Sequence, residues 1–202
     1  LTRTGFWQWV AVCAGFCAVC YLFVDRPVAR FVAGAVDPHV TLLRICQAMA
    51  APSLIALPFG LIYLSALVLN TGRREKPWPA QWLMTQVSVA ILAATAAKDL
   101  LKWAFGRPWP ETFLHYGAYG FHPFNNSLLY GCFPSGHTAY IAAPLLVIAD
   151  ERPVWAWPCY AVIAMVMVGL VGGGYHFPGD TVGGLLTGYL AAKGTLALMR
   201  PC

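Results

Sequence analysis

Charge is what this sequence has least of. Lys and Arg number 13 and Asp and Glu 8 in 202 residues, so 10% of the chain is charged, against about 25% in a soluble globular domain. With 59% hydrophobic residues and a mean hydropathy of +0.62, that shortage excludes a domain built for water. Carboxylates are too few and too scattered to form the cluster that holds Mg²⁺, so neither metal nor cofactor is expected. The net charge of +5 is spread along the chain, which gives no nucleic-acid footprint. Seven cysteines are present, yet no CxxC pairs with another or with a spaced His pair, so neither a zinc site nor a disulfide framework follows. Cys13, Cys17 and Cys20 share one face of an apolar run, where thiols act as small hydrophobes. Cys46 and Cys132 are expected outside the bilayer, and nothing supports a bridge between them.

What the chain does have is apolar runs long enough to cross a membrane. The expected fold is an all-α integral membrane protein of six transmembrane helices, forming one domain over residues 1–202. The spans are expected at Phe6 to Val24, Ala50 to Leu69, Ala80 to Ala97, Ser135 to Ala149, Val154 to Val171 and Thr181 to Leu198. Pro52 and Pro58 are expected as tolerated kinks. The first run is read as a span and not a signal peptide, because it is long and Asp25-Arg26-Pro27 suits cleavage poorly. Residues 25 to 49, with Arg26, Arg30, Asp37, His39 and Arg44, read as an interfacial amphipathic segment. Asn70 to Pro79 is a charged turn containing Arg73, Arg74, Glu75 and Lys76. The chain opens on Leu1 and not Met, so further N-terminal sequence is expected.

Alternation across the membrane places the loops after the third and fifth spans on one face. One side carries Arg3, Arg73, Arg74, Lys76, Arg152, Lys193 and Arg200, and the other Arg26, Arg30, Arg44, Lys98, Lys102 and Arg107. The last three of the second group are tied to the motif region, 98–180. Discounting them puts the termini in the cytoplasm and the polar loops outside, in the periplasm of a bacterial inner membrane.

Three clusters meet at that outer face. The first runs from Lys98 and Lys102 to Arg107 and Glu111, with Asp99 placed as a partner for Lys102. Two such cations suit a phosphate better than a lone carboxylate. The second is Pro134-Ser135-Gly136-His137, where Ser135 caps a helix whose free N–H groups favour an anion. The third is Tyr175-His176-Phe177-Pro178-Gly179-Asp180, in which Asp180 stands four residues after His176 and can hold its imidazole in one tautomer. A nucleophilic histidine, a second histidine able to protonate a leaving oxygen, and fixed cations meet the needs of metal-free phosphoryl transfer.

These motifs resemble the membrane branch of the type 2 phosphatidic acid phosphatase superfamily, which also includes acid phosphatases and vanadium haloperoxidases. Its signatures are Lys-x6-Arg-Pro, Pro-Ser-Gly-His and Ser-Arg-x5-His-x3-Asp, and the likeness covers Lys102 to Asp180. The resemblance implies a phosphohistidine on His176, orientation by Asp180, general acid catalysis by His137, and phosphate oxygens held near Ser135 and Gly136. Two arginines depart from the pattern. Trp109-Pro110 stands where Arg-Pro is expected, with Arg107-Pro108 two residues early. Gly169-Leu170 replaces Ser-Arg, and no Arg occurs from Pro153 to Lys193. Arg107 is expected to substitute for one clamp, and Lys98, His115 or His122 to lean in for the other, with Glu111 and Tyr175 as auxiliaries.

The expected activity is hydrolysis of a lipid phosphate, with undecaprenyl pyrophosphate, phosphatidylglycerophosphate, phosphatidic acid or a lipid A phosphate as substrates. Membrane lipids are the expected surroundings, and the sequence names no protein partner. A lipid-binding or scaffold subunit without turnover, and a lipid phosphoryltransferase, are the competing functions. A haem protein is disfavoured because His137 and His176 both stand at turns.

Overall fold

The computed structural model describes residues 3–36, 40–69 and 79–199. The turn over residues 70–78, with Arg73, Arg74, Glu75 and Lys76, lies outside them, as do Asp37, His39 and Arg200. Among the described residues the fold is all helical: α1 (Arg3–Val19), α2 (Asp25–Val36), α3 (Val40–Ala50), α4 (Pro52–Leu69), α5 (Pro79–Phe105), α6 (Pro110–Tyr116), α7 (Gly136–Glu151), α8 (Ala156–Gly172) and α9 (Pro178–Met199). Five helical stretches are long and apolar enough to cross a membrane: Gly5–Ala35, Thr41–Leu69, Ala80–Phe105, Pro153–Gly172 and Pro178–Met199. At 16 residues, α7 is about 24 Å long, shorter than any of these. The outward surface carries large apolar side chains such as Phe23, Ile55, Ile62 and Val168, as a lipid-facing surface requires. The protein is an integral membrane protein.

The first helix does not stop at Val24. A five-residue π-helical turn, Cys20–Val24, joins α1 to α2, and the helix runs on to Val36. The expected interfacial segment over 25–49 is therefore corrected: its first part prolongs the first helix and α3 leads into α4. Asp25, Arg26 and Arg30 stay on a helix because the fold gives them partners. Arg26 lies 5.2 Å over the Tyr119 ring and Arg30 5.4 Å over Phe113, contacts that offset the loss of water. Asp25 is fully buried. The inward-facing stripe runs Cys13, Cys20, Asp25, Ala29 and Val32, stepping by five residues across the π turn.

The centre of the bundle is α5, α7 and α9, packed through Ala90, Ala94, Ala139, Ala143 and Ala192. Small residues let these backbones approach closely. A Cβ on Gly188 would lie 2.7 Å from that of Ala142, and one on Gly184 only 2.4 Å from the Ser135 carbonyl oxygen. This seam presses the start of α7 onto the start of α9. Beyond α5 the chain turns at Gly106, at φ +57°, where a Cβ would sit 1.8 Å from the His122 carbonyl oxygen. His122 N–H donates to Gly106 O at 2.9 Å and Phe124 N–H to Trp103 O at 2.8 Å, folding the loop back over the helix end. At the opposite end of the bundle, Lys193 pairs with Asp150.

Candidate active site

The ends of α5 and α8 and the starts of α7 and α9 converge at one end of the bundle. Ser135 has the extended backbone of an N-cap, and its Oγ accepts from Thr138 N–H at 3.3 Å. Its own N–H donates to the Asp180 carbonyl at 2.9 Å, which fastens the Pro-Ser-Gly-His turn to the first turn of α9. His137 follows, half-buried, with its ring 6.2 Å from that of His176. His176 is 3% exposed in the short link between α8 and α9. Burial pushes its imidazole below the ordinary histidine value, against the pull of Asp180.

Asp180 accepts from Arg107 Nη1 at 2.6 Å on one oxygen and from Phe177 N–H at 3.0 Å on the other. The His176–Asp180 pairing expected from the His-x3-Asp spacing is present at ion-pair and not hydrogen-bond distance: Asp180 Oδ2 stands 3.8 Å from His176 Nδ1. The Cys132 thiol lies between them, donating to Asp180 Oδ2 at 2.9 Å and standing 3.3 Å from Nδ1. Burial and the neighbouring Asp180 push this thiol well above its ordinary value.

Arg107 is also corrected. It is 1% exposed, and its Nη2 donates to Asp25 Oδ2 at 2.7 Å and to Tyr119 OH at 3.0 Å. Asp25 further accepts from Gly179 N–H at 2.8 Å. Burial works against the guanidinium charge, but Asp180 and Asp25 outweigh it and hold Arg107 above its ordinary value. A guanidinium between two carboxylates has no charge to spare for a substrate, so Arg107 does not replace a missing phosphate clamp. Its turn carries it there: Arg107 O accepts from Cys132 N–H at 2.9 Å, placing the pair side by side.

The phosphate side looks different. The Trp109 indole occupies the arginine position of the motif, packs 5.2 Å from the His176 ring and donates from Nε1 to Leu128 O at 2.8 Å. Lys102 bonds the Gly131 carbonyl and lies 5.0 Å over the Trp109 ring. Asp99 pairs with Lys98 and not, as expected, with Lys102. Lys98 also lies 5.3 Å over Tyr140 and stays beside Gly136. Leu170 is buried at 2% exposure and lines a cavity of about 350 Å³ with His137, Ala50, Leu54 and Tyr175. A second cavity, of about 290 Å³, is lined by Glu111, His115, Tyr175 and His176 against Val28 and Val32 of α2. Tyr175 borders both, and its OH accepts from Gln47 Nε2 at 3.0 Å. His122 is the outlier, packed 4.8 Å from Tyr130 on the exposed loop.

The structure thus brings His176, His137, Asp180, Lys102, Ser135, Gly136, Tyr175, Glu111 and His115 to one end. Sequence reasoning missed Asp25 and Cys132. The signal for Asp25 was an acid inside an apolar run, which must be paired or cost several kcal/mol. Cys132 gave no signal beyond its place two residues before Pro134.

A family model for the PAP2 superfamily matches residues 83–201. Among curated proteins, the lipid A 1-phosphatase of Rhizobium johnstonii is 29% identical over 144 residues, covering 63% of this chain and 57% of that protein. The lipid A 1-phosphatase of Rhizobium etli is 32% identical over 127 residues, covering 60% and 53%. The chain spans a little over half the length of these relatives. Among solved structures, a transmembrane PAP2-type phosphatidylglycerolphosphate phosphatase from Bacillus subtilis superposes with a TM-score of 0.50 at 15% identity, covering 96% of this chain and 94% of that one. At that identity the likeness is one of fold.

Proposed function

The chain belongs to the PAP2 superfamily, and from that premise we propose that it is a metal-independent lipid-phosphate phosphatase of a bacterial inner membrane. The observation that carries this reading is the convergence of His176, His137 and the capped turn at Ser135, fastened to Asp180 by a backbone hydrogen bond of 2.9 Å. In this reading α7 is the sixth span, the termini are cytoplasmic and the site opens to the periplasm.

His176 Nε2 attacks phosphorus, forming an N–P bond as the P–O bond to the lipid breaks. The electron pair leaves on the lipid oxygen, which takes its proton from His137. Water then attacks the phosphohistidine, giving a proton back to His137 and releasing phosphate. Lys102 and the first-turn amides of α7 balance the charge on the phosphoryl oxygens. The donor atoms of Cys132, His176 and Asp180 lie within 4.8 Å of one another, a spacing that a metal ion also uses. Geometry favours hydrogen bonds there: Asp180 is already paired with Arg107 on one oxygen and takes the Phe177 N–H on the other. The names of the Rhizobium relatives make a lipid A 1-phosphate the first substrate to test, ahead of undecaprenyl pyrophosphate, phosphatidylglycerophosphate and phosphatidic acid.

The test is phosphate release from that panel by purified protein, beside His176→Ala and His137→Ala. Activity that survives His176→Ala overturns the mechanism. A second reading draws on Trp109 and Leu170, which put neutral surfaces where two cations are expected: a protein that binds a lipid phosphate without turning it over. Co-purification of a lipid phosphate with no release from any substrate would select it. Transfer of the phosphoryl group to a second lipid would instead show as a phosphorylated lipid acceptor with no free phosphate.

A further inference from the structure

We propose that Cys132 is a positioning residue for the nucleophile: its thiol links Asp180 to His176 Nδ1 and fixes the tautomer whose Nε2 is free to attack phosphorus. The inference rests on the phosphohistidine reading for its catalytic consequence and on geometry for the rest.

The thiol proton can go to Asp180 Oδ2 or to an unprotonated His176 Nδ1, and the shorter contact and the carboxylate's charge draw it to Oδ2. Asp180 Oδ2 already takes the Phe177 N–H, and it is too far from Nδ1, at 3.8 Å, for a direct hydrogen bond. The thiol reaches both: it donates to Oδ2 at 2.9 Å and stands 3.3 Å from Nδ1. A thiol has one proton. With that proton directed at Asp180, only sulfur lone pairs face the imidazole, so Nδ1 must carry a hydrogen and Nε2 must be unprotonated. That is the form a nitrogen nucleophile needs.

Two features keep the arrangement from relaxing. Asp180 is clamped from the far side by Arg107, which Asp25 holds in turn, at 2.6 and 2.7 Å. The carboxylate therefore cannot slide toward the imidazole. Cys132 itself is wholly buried and its backbone N–H is fixed to Arg107 O at 2.9 Å. The five side chains from Asp25 through Arg107, Asp180 and Cys132 to His176 form one continuous hydrogen-bonded line. Arg107 and Asp25 support the nucleophile through it and never touch the substrate.

The test compares Cys132→Ala with Cys132→Ser in purified full-length protein. Serine keeps one donor and one acceptor at this position and alanine keeps neither. We expect Cys132→Ala to lower kcat by about 10–100-fold, the scale on which partners that orient a functional histidine act, with KM little changed. Cys132→Ser should regain most of the loss. The second readout does not depend on turnover: 15N spectra of histidine-labelled protein, with His176 assigned from its absence in His176→Ala. Wild type and Cys132→Ser should show a neutral Nδ1–H imidazole, and Cys132→Ala a mixture of tautomers. A pure Nδ1–H tautomer in Cys132→Ala overturns the proposal, as does equal loss in the alanine and serine variants. Stoichiometric zinc that is lost in Cys132→Ala also overturns it, because the thiol would then be a ligand. If wild type releases phosphate from no lipid, the phosphatase reading fails, while the tautomer spectra still decide the role of Cys132.

Discussion

The two flanks of His176 are built on different physics. On the Nδ1 side, five buried groups are linked in one chain, the charges of Asp25, Arg107 and Asp180 are paired within 2.7 Å, and only Arg107 Nε among their charged nitrogens is left without a hydrogen-bond partner. On the side where a phosphate would sit, the neighbours are an indole, a leucine and a lysine that is partly engaged by the Gly131 carbonyl. The first flank is pre-organised and costs nothing to assemble during a reaction. The second carries less positive charge than phosphoryl transfer normally calls on. One guanidinium decides the contrast. By standing two residues early in its turn, Arg107 pairs with Asp180 and Asp25, and in the proposed mechanism the anion is left to Lys102 and to amides at the start of α7.

Removing the centre of the ordered flank should have the largest effect. His176→Ala is expected to abolish phosphate release, and His137→Ala to reduce it by about 10²–10⁴-fold, the usual worth of general acid–base catalysis. Next comes the ion triad. Asp25→Ala leaves Arg107 buried with one carboxylate in place of two, which should destabilise the protein by about 3–5 kcal/mol, as when a buried pair is broken. A thermal melt in detergent that matches wild type would show that water enters the site and that the flank is less ordered than it looks. The phosphate-facing half of the comparison is sharpened by Trp109→Arg. A restored charged hydrogen bond is worth about 1.5–3 kcal/mol, so vanadate or phosphate should inhibit roughly tenfold or more tightly. Leu170→Arg should gain less, because its side chain is buried and must turn into the neighbouring cavity. If neither change alters inhibition, the anion is held by groups other than those named.

The smallest effect concerns pH. His176 is faced by Asp180 and Cys132 at Nδ1 and by Lys102, Arg107 and His137 around it. Burial dominates and holds it below the ordinary histidine value of about 6.5. Its neutral, nucleophilic form is present above its pKa and lost as pH falls through it. The acid limb of kcat/KM should therefore lie below about pH 6.5. A limb above that value would show that Asp180 charges the imidazole directly, and the two flanks would then differ less than the geometry indicates.

Local chemistry made the motif turns legible. Ser135 announces its helix because a cap is decided within four residues, and the His176–Asp180 spacing places one just before and the other in the first turn of α9. The apolar runs likewise announce their helices, and α9 differs from its expected span by three residues at its start. The misreadings of Asp25, Arg26 and Arg107 involve partners distant in sequence. Asp25 and Arg26 look like the end of a span until Arg107 and Tyr119, more than eighty residues on, pair with the first in the interior and hold the second against a ring. Arg107 looks like a phosphate ligand until two carboxylates claim it. Nothing near Lys102 reveals that Trp109 will lie beneath its ammonium. Cys132 reads as one apolar residue among seven cysteines, because a hydrogen bond to sulfur leaves no trace in composition.

The π turn at Cys20–Val24 makes chain length itself part of the site. One residue turns an α-helix by about 100°, and the π turn already absorbs one extra residue in the step from Cys20 to Asp25, so inserting one more there, even beside outward-facing Phe23, would rotate everything before the turn against everything after it. Either α1 loses its seat on α9 or Asp25 leaves Arg107. A one-residue insertion on the greasy outer surface would then act like a substitution at Asp25, with no residue of the candidate site changed. In this protein the spacing between an anchor and a carboxylate decides the Asp25–Arg107–Asp180 pairing as much as the carboxylate does.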